Sequence, residues 1–572
     1  MYWKKKVAHL SVLLSTILFS AAFGQHHLSE KYYTDLAHAD SLRGNIEAPE
    51  RTWWDIQRYD VTVKPEFEKK FISGTSKITY KVVKNSYPAF MQIDLQAPMQ
   101  LDSVLFNGKR KLNFKREGNA FQVNVPKQIK SSEAFVQVYF HGKPTIAKKA
   151  PWDGGWIFAK DSLGRPWMTV ACQGLGASVW YPCKDVQDDE PDKGASLTMI
   201  VPDTLTAVSN GRKVEEKRWD NGWKSVKWQV VNPINNYTLV PYIGKYVEIK
   251  DHYNGLEGNL DIGLWALDYN RARMVEHCQP DVLRMLKAFE YWFGAYPFYE
   301  DSYKLVDAPY LGMEHQSAVA YGNHYLNGYA GRDLSGTGIG LNWDFVVVHE
   351  SGHEWFANNI TSKDIADMWI HESFTNYSEV LFTEYYYGRQ AGQEYCFGIR
   401  KNISNDKPIV GPYGVNREGS GDMYYKGANM LNSIRNAMGN DDKFRAMLVN
   451  INKTFYHKTV TYNDIEELMS KESGIELSAI LDQYLKTTQV PQLEYAFSND
   501  KRKLYFRYVN CEEGFDLPLN IRAEKGAANL LLKPTVEWQS ISLNSSQARL
   551  MIPTNIEFQY YLTTKKVDVP AI

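Results

Sequence analysis

Two histidines four residues apart, with a glutamate beside the first, stand in the stretch Val346-Val347-Val348-His349-Glu350-Ser351-Gly352-His353-Glu354-Trp355. On a helix, positions four apart share a face with Cβ atoms roughly 5–6 Å apart, close enough for both imidazoles to hold one ion. Neutral imidazole is a good zinc ligand. Glu350 is placed to take a proton from water without itself ligating. Three valines precede the motif, so the helix is expected to be buried, and polar residues in a buried helix need a reason to be there. A zinc that does chemistry takes three protein ligands and keeps a position open. The third ligand is expected to be a carboxylate or His on a neighbouring helix. Glu372, in Met368-Trp369-Ile370-His371-Glu372-Ser373-Phe374, lies nineteen positions after His353, and residues 358–364 supply the turn between the two helices. His371 points about 100° away from Glu372 on that helix and is expected to be structural. The motif alone also fits an accidental match on a core helix; the third ligand weighs against that.

Apolar periodicity shows which elements carry these residues. From about residue 59 to 249 the text alternates as strands do: Val61 with Val63, Ile78 with Tyr80, and a run holding Phe135, Val138 and Phe140. Asn107-Gly108, Glu117-Gly118 and Asn210-Gly211 mark turns. Near residue 270 the period changes, and Val282, Met285, Leu286 and Phe289 fall on one helix face. Helices are expected at 344–358, 365–387 and 465–471, until Val490-Pro491 ends the region. Strand-like runs at 493–497 and 504–508 flank Asn499-Asp500 and continue to the C-terminus. The expectation is a multidomain α+β protein: an N-terminal antiparallel β domain over 25–250, a mainly helical domain over 251–490 carrying the metal, and a small C-terminal β-sandwich over 491–572.

With 572 residues the chain exceeds what one core supports. A formal net charge of −1 gives no reason to expect nucleic acid or an anionic membrane as partner. The 37 Tyr and 16 Trp read first as core material for β domains and second as a sugar- or peptide-binding surface. Lys4, Lys5 and Lys6, the apolar run from Val12 to Phe23, and Ala22-Phe23-Gly24 before Gln25 read as a secretory signal peptide over 1–24, its apolar stretch too short to span a bilayer. The expected product is exported, periplasmic or extracellular, with no integral membrane segment after cleavage. Five scattered cysteines do not make a disulfide scaffold; one bridge is open to them, with Cys172 and Cys183 the nearest pair.

The segments around the metal motif resemble a known family. H-E-x-x-H, eighteen residues, then Glu within W-x-x-E-x-F-x-x-Y-x-E is the signature of the aminopeptidase N-like gluzincins, which include the leukotriene-hydrolase branch. This chain matches it at His349, Glu350, His353, Trp369, Glu372, Phe374, Tyr377 and Glu379. Phe293-Gly294-Ala295-Tyr296-Pro297-Phe298, Tyr181-Pro182-Cys183, residues 185–193, Val208-Ser209-Asn210-Gly211 and Tyr424-Tyr425-Lys426-Gly427 extend the likeness over about residues 55–495. The resemblance implies a thermolysin-like catalytic domain with one Zn2+ per chain, held by His349, His353 and Glu372. It also implies an aminopeptidase acting on peptides with a free N-terminus, with Glu350 as general base and Tyr424 hydrogen-bonding the oxyanion. Gln173 sits where the family binds substrate. Leu311-Gly312-Met313-Glu314-His315 stands for the family's G-x-M-E-N, whose Glu binds the amine, so Gly312, Met313 and Glu314 are expected at the substrate. Leu311 and His315 depart from that pattern; His315 is either a polar neighbour in the place of the Asn or a group reaching the metal or a substrate carbonyl. Glu379 is expected behind a ligand rather than on the metal. The alternatives are a scaffold protein with a disused site, an endopeptidase and an epoxide hydrolase of the same fold.

Overall fold

The computed structural model describes residues 32–521, 529–544, 547 and 553–570, so the expected signal peptide lies outside the described residues. The N-terminal half is mostly β structure, and its apolar core also takes in Trp265, Leu267, Val306 and Ala320 of the second half. An eight-stranded sheet is organised around Trp54–Glu66, which pairs antiparallel with Phe71–Val82 and parallel with Ala195–Pro202. Val61, Val63, Ile78 and Tyr80 point into the core as their alternation predicts. Phe135 does not: Val136, Val138 and Phe140 take the inner face of Glu133–Gly142, so the period of two turns Phe135 outward, where its ring lies under Lys77 at 4.7 Å. Asn107 and Gly108 both have positive φ, which closes the hairpin between Gln100–Phe106 and Arg110–Leu112. A four-stranded and a three-stranded sheet complete this half.

The boundary expected at residue 250 falls inside the strand Tyr246–Gly255. This strand forms a hairpin with Gly258–Leu267 and belongs to the second half. There a five-stranded sheet continues through Tyr303–Asp307 and Val319–Tyr321 to the edge strand Gly312–Met313. Gln279–Phe293, buried along the predicted face, and Phe345–Gly352 pack against it, and Trp369–Tyr387 packs on both of these helices; the last two are the pair that carries the histidine motif and Glu372. Asp344 caps the first of that pair by accepting from the amides of Val346 and Val347.

The last part has a four-stranded sheet built on Gln492–Phe497 and Lys503–Val509, and a two-stranded ribbon, Leu519–Ile521 with Leu530–Leu532. Their apolar side chains join the core of the catalytic helices rather than enclosing a separate one. The helix Pro553–Gln559 docks by its C-terminal carbonyls. Gln393 donates to the Phe558 carbonyl (2.8 Å), Asn432 and Asn436 to that of Gln559 (3.1 and 2.8 Å), and Arg400 to that of Glu557. These contacts satisfy groups that a helix end leaves unpaired. All five cysteines are free thiols, four of them buried. Among the described residues no helix is long and apolar enough to cross a membrane.

Candidate metal centre

His349, His353 and Glu372 converge, their ligand atoms all within 4.8 Å of one another. Glu372 Oε2 lies 3.4 Å from His353 Nε2 and 3.7 Å from His349 Nε2. Tetrahedral zinc with ligands at 2.0–2.2 Å has ligand–ligand edges of about 3.3–3.6 Å, so the three atoms stand close to the spacing the ion requires. Glu372 Oε2 is buried and has no hydrogen-bond partner, a cost that an ion at this point removes.

The outward nitrogen of each imidazole is held. His349 Nδ1 meets Glu379 Oε1 at 2.7 Å, and Glu379 also accepts from Asn376 Nδ2 (2.7 Å) and the Tyr395 hydroxyl (2.6 Å). His353 Nδ1 meets the Phe356 carbonyl at 3.0 Å. That carbonyl is free because the helix breaks just there: Phe356 has φ −127° and ψ 86°, and Ala357 has φ 146°, a region that costs a residue with a Cβ of order 1–3 kcal/mol. Both Nε2 atoms are thereby presented to the same point as Glu372, the arrangement in which outer partners orient metal ligands. Burial presses His349 down, but Glu372 and Glu379 outweigh it and hold its pKa well above the ordinary range; the imidazoles in turn keep Glu372 well below its own. A donor set that attracts protons this strongly suits a dication in their place. His371 accepts from the Ser362 amide at 2.8 Å, and burial lowers it to about 3, which makes it the structural residue expected.

The triad opens into a cavity of about 540 Å³, which Gln173, Leu311, Gly312, Met313, Glu350 and Tyr424 help to line. Burial raises Glu350 to about 7, against the pull of His349 and His353. Glu314, Glu350 and His353 come within 4.8 Å of one another. Gln173 Nε2 donates to Glu314 Oε1 at 2.6 Å and to Glu372 Oε1 at 3.2 Å, and the Tyr237 hydroxyl donates to Glu314 Oε1 at 3.1 Å. Burial, then Glu372, Glu418, Glu314 and Glu350, hold the Tyr424 phenol well above its ordinary range, so it stays a donor. Its ring stacks on His349 at 6.0 Å.

Every residue expected at the site is thus brought to it, and His315 is not. Its Nδ1 meets the Tyr242 hydroxyl at 2.8 Å, it does not line the cavity, and burial lowers it to about 3. Leu311 takes the position of the family's glycine without closing the cavity, because the close approach is made one residue later. A Cβ on Gly312 would lie 2.6 Å from Glu350 Oε1. Sequence reasoning missed Tyr237, Asn376, Tyr395 and the Phe356 carbonyl. It also missed why Val208-Ser209-Asn210-Gly211 matters. Asn210 Nδ2 donates to the Gln316 carbonyl (2.6 Å) and the Gly211 amide to Ser317 Oγ (2.9 Å), which ties the β domain to the loop after Glu314.

Comparison with known proteins agrees with this geometry. The profile of the Peptidase family M1 domain matches residues 281–484, and that of the Peptidase M1 N-terminal domain matches residues 56–238. A probable aminopeptidase 2 of Sulfurisphaera tokodaii is 23% identical over 532 residues, 86% of this chain and 61% of the relative. An aminopeptidase N of Lactobacillus helveticus is 20% identical over 536 residues, 88% of this chain and 60% of the relative. The chain therefore spans about three-fifths of the length of these curated relatives. A crystal structure of a mutant M1 zinc metallopeptidase from Deinococcus radiodurans, with a Tyr-Ser-Ala substrate bound, shares the fold. Its TM-score is 0.63 at 18% identity, over 76% of this chain and 95% of that one.

Proposed function

The chain belongs to peptidase family M1, and from that premise we propose that it is a zinc-dependent aminopeptidase that removes the N-terminal residue of peptides. The observation that carries the reading is the meeting of Gln173 and Glu314 at 2.6 Å beside the metal triad. A carboxylate and a carboxamide held there, next to the ligands, suit a free α-ammonium, and a peptide anchored by it has its first peptide bond at the metal.

His349, His353 and Glu372 would hold a zinc ion, which would supply a Lewis acid and make a water beside it more acidic. Glu350, which lines the same cavity, is placed to take a proton from the attacking water and return it to the departing amine; burial raises its carboxyl to about 7, which suits a base near neutral pH. Tyr424, kept protonated by burial and then by the carboxylates around it, donates a hydrogen bond to the oxyanion that develops on the scissile carbonyl. Gly312 and Met313 bring the edge strand alongside the substrate backbone.

Export belongs to the same proposal and rests on the residue pattern of 1–24. N-terminal sequencing of exported protein that begins at Gln25 supports it, and product found only in the cytoplasm counts against it. The activity is tested with the zinc-loaded protein on a panel of aminoacyl fluorogenic amides and their N-acetylated counterparts. Cleavage of the free-amine series alone, abolished by a chelator, is the expected result. Cleavage of both series points to an endopeptidase and removes the role of Glu314. Cleavage of neither, with zinc bound, overturns the reading.

A further inference from the structure

Residues 32–48 lie ahead of the matched family domain, which begins at residue 56. They nonetheless hold the two loops at one end of the cavity, where Gly174, Leu175, Asn416 and Glu418 line it. The turn over residues 173–176 carries Gly174 at φ +64° and Gly176 at φ +91°. A Cβ on Gly176 would lie 2.0 Å from Arg43 Nη2, so this glycine lets the guanidinium rest on the turn. Arg43 Nη1 donates to the Gly174 carbonyl at 3.0 Å, and Arg43 Nε lies 2.9 Å from Asp185 Oδ2. Asp185 is fixed in turn, its amide donating to Asp94 Oδ2 at 2.9 Å.

Asn416 reaches the same Gly174 carbonyl from the catalytic half, its Nδ2 donating at 3.2 Å. The loop that carries Asn416 is bound to the N-terminal segment as well. The Asn416 amide donates to the Asp40 carbonyl (3.0 Å), Arg417 pairs with Asp35 (3.1 Å) and Asp40 (3.5 Å), and the Tyr33 hydroxyl donates to the Glu418 carbonyl (3.3 Å). Two donors from distant parts of the chain thus converge on the carbonyl next to Gln173, whose own side chain spans Glu314 and Glu372.

We propose that Arg43 is a positioning residue for substrate binding, the working end of a strap formed by residues 33–44. It fixes the turn over residues 173–176 so that the Gln173 carboxamide stays on Glu314 and Glu372. The proposal rests on reading Glu314 and Gln173 as the ammonium site. A charged donor on the Gly174 carbonyl resists rotation of that peptide, and a shift of under 1 Å at Gln173 is enough to weaken an oriented contact.

The test uses the full zinc-loaded chain with Arg43→Ala and Arg43→Lys. The readouts are kcat and KM on a free-amine aminoacyl amide, zinc content, and hydrogen exchange at Leu175 and Gly176, whose amides close the turn by donating to the Gln173 and Cys172 carbonyls. Arg43→Ala should raise KM about tenfold with kcat within roughly threefold and zinc content unchanged. It should speed exchange at Leu175 and Gly176, and Arg43→Lys should restore part of both effects. Faster exchange throughout the β sheets, with kcat and KM worsened together, would reduce Arg43 to a fold-maintaining ion pair and overturn the proposal. So would an Arg43→Ala protein that matches the unaltered one in every readout. If the unaltered protein cleaves no free-amine substrate, the ammonium reading fails by itself, and the exchange data still decide whether Arg43 holds the turn.

Discussion

Replacing Glu379 by Gln isolates the value of one charge behind a metal ligand. Glu379 is fully buried and serves three partners: His349 Nδ1 and Asn376 Nδ2 at Oε1, and the Tyr395 hydroxyl at Oε2. A glutamine can keep all three. Its carbonyl oxygen takes the place of Oε1, and its amide donates to a Tyr395 hydroxyl that has rotated to accept. What is lost is the charge on the acceptor of the His349 hydrogen bond. Bonds to charged groups contribute about 1.5–3 kcal/mol and neutral ones about 0.5–1.5, a difference of about 1–1.5 kcal/mol. That corresponds to about tenfold in dissociation constant, at the low end of the 10–100-fold range for partners behind metal ligands. Glu379→Gln should therefore bind zinc about tenfold more weakly, and the metal-free protein should melt somewhat lower as well, because Glu379 also helps to hold the buried His349 protonated there. Glu379→Ala leaves three buried donors without an acceptor and should lose both affinity and stability. Competition against a chromogenic chelator of known affinity measures the first quantity, and calorimetry of the metal-free proteins controls for the second. A Glu379→Gln protein with zinc affinity within about twofold of the original would refute the claim that Glu379 tunes His349.

Three other outcomes are expected. Glu350→Gln should retain zinc and lose at least about a hundredfold in kcat; substantial residual turnover with metal bound would exclude Glu350 as the base. Gly312→Ala places a Cβ 2.6 Å from Glu350 Oε1 and 2.9 Å from Val346 Cγ1, so kcat should fall roughly ten- to a hundredfold without loss of zinc, and an unimpaired variant would show that the strand yields. Burial raises Asp367 to about 6, against the Tyr413 and Tyr462 hydrogen bonds. The folded state therefore holds an extra proton between about pH 4 and 6, and this contribution is complete below about pH 4 and lost as pH rises through 6. Relative to Asp367→Asn, the original protein should lose on the order of 2–3 kcal/mol across that window, read from urea midpoints at pH 4 and 7.5; a gap that does not change with pH would contradict the assignment.

The metal ligands were legible because helical spacing alone puts His349 and His353 on one face and leaves a single turn before Glu372. Glu379 was legible as a partner for the same reason, lying two turns beyond Glu372 on the same helix. Tyr237 and Arg43 were not, since their relation to the site runs through loops whose course depends on packing between the two halves. The Phe356 carbonyl left no trace in the sequence, because nothing in Trp355-Phe356-Ala357 announces a helix break. The boundary expected at residue 250 cut through the strand Tyr246–Gly255 for a related reason. Alternation identifies a strand but not the sheet it joins, and here the partner is Gly258–Leu267.

Synthesis runs from the N-terminus, and this gives the docking of Pro553–Gln559 a meaning in time. Asn432 and Asn436 lie on the helix Tyr425–Met438, which begins immediately after Tyr424, and the carbonyls they seek arrive only with residue 559. Ser433, on the same helix, waits for the amide of Tyr561. A nascent chain that has already emitted His349, His353, Glu350 and Glu372 still has three polar side chains of that helix without their final partners. The partners of these side chains are made about 123 to 128 residues of translation later, so the helix that follows Tyr424 is completed only when the C-terminal segment docks on it.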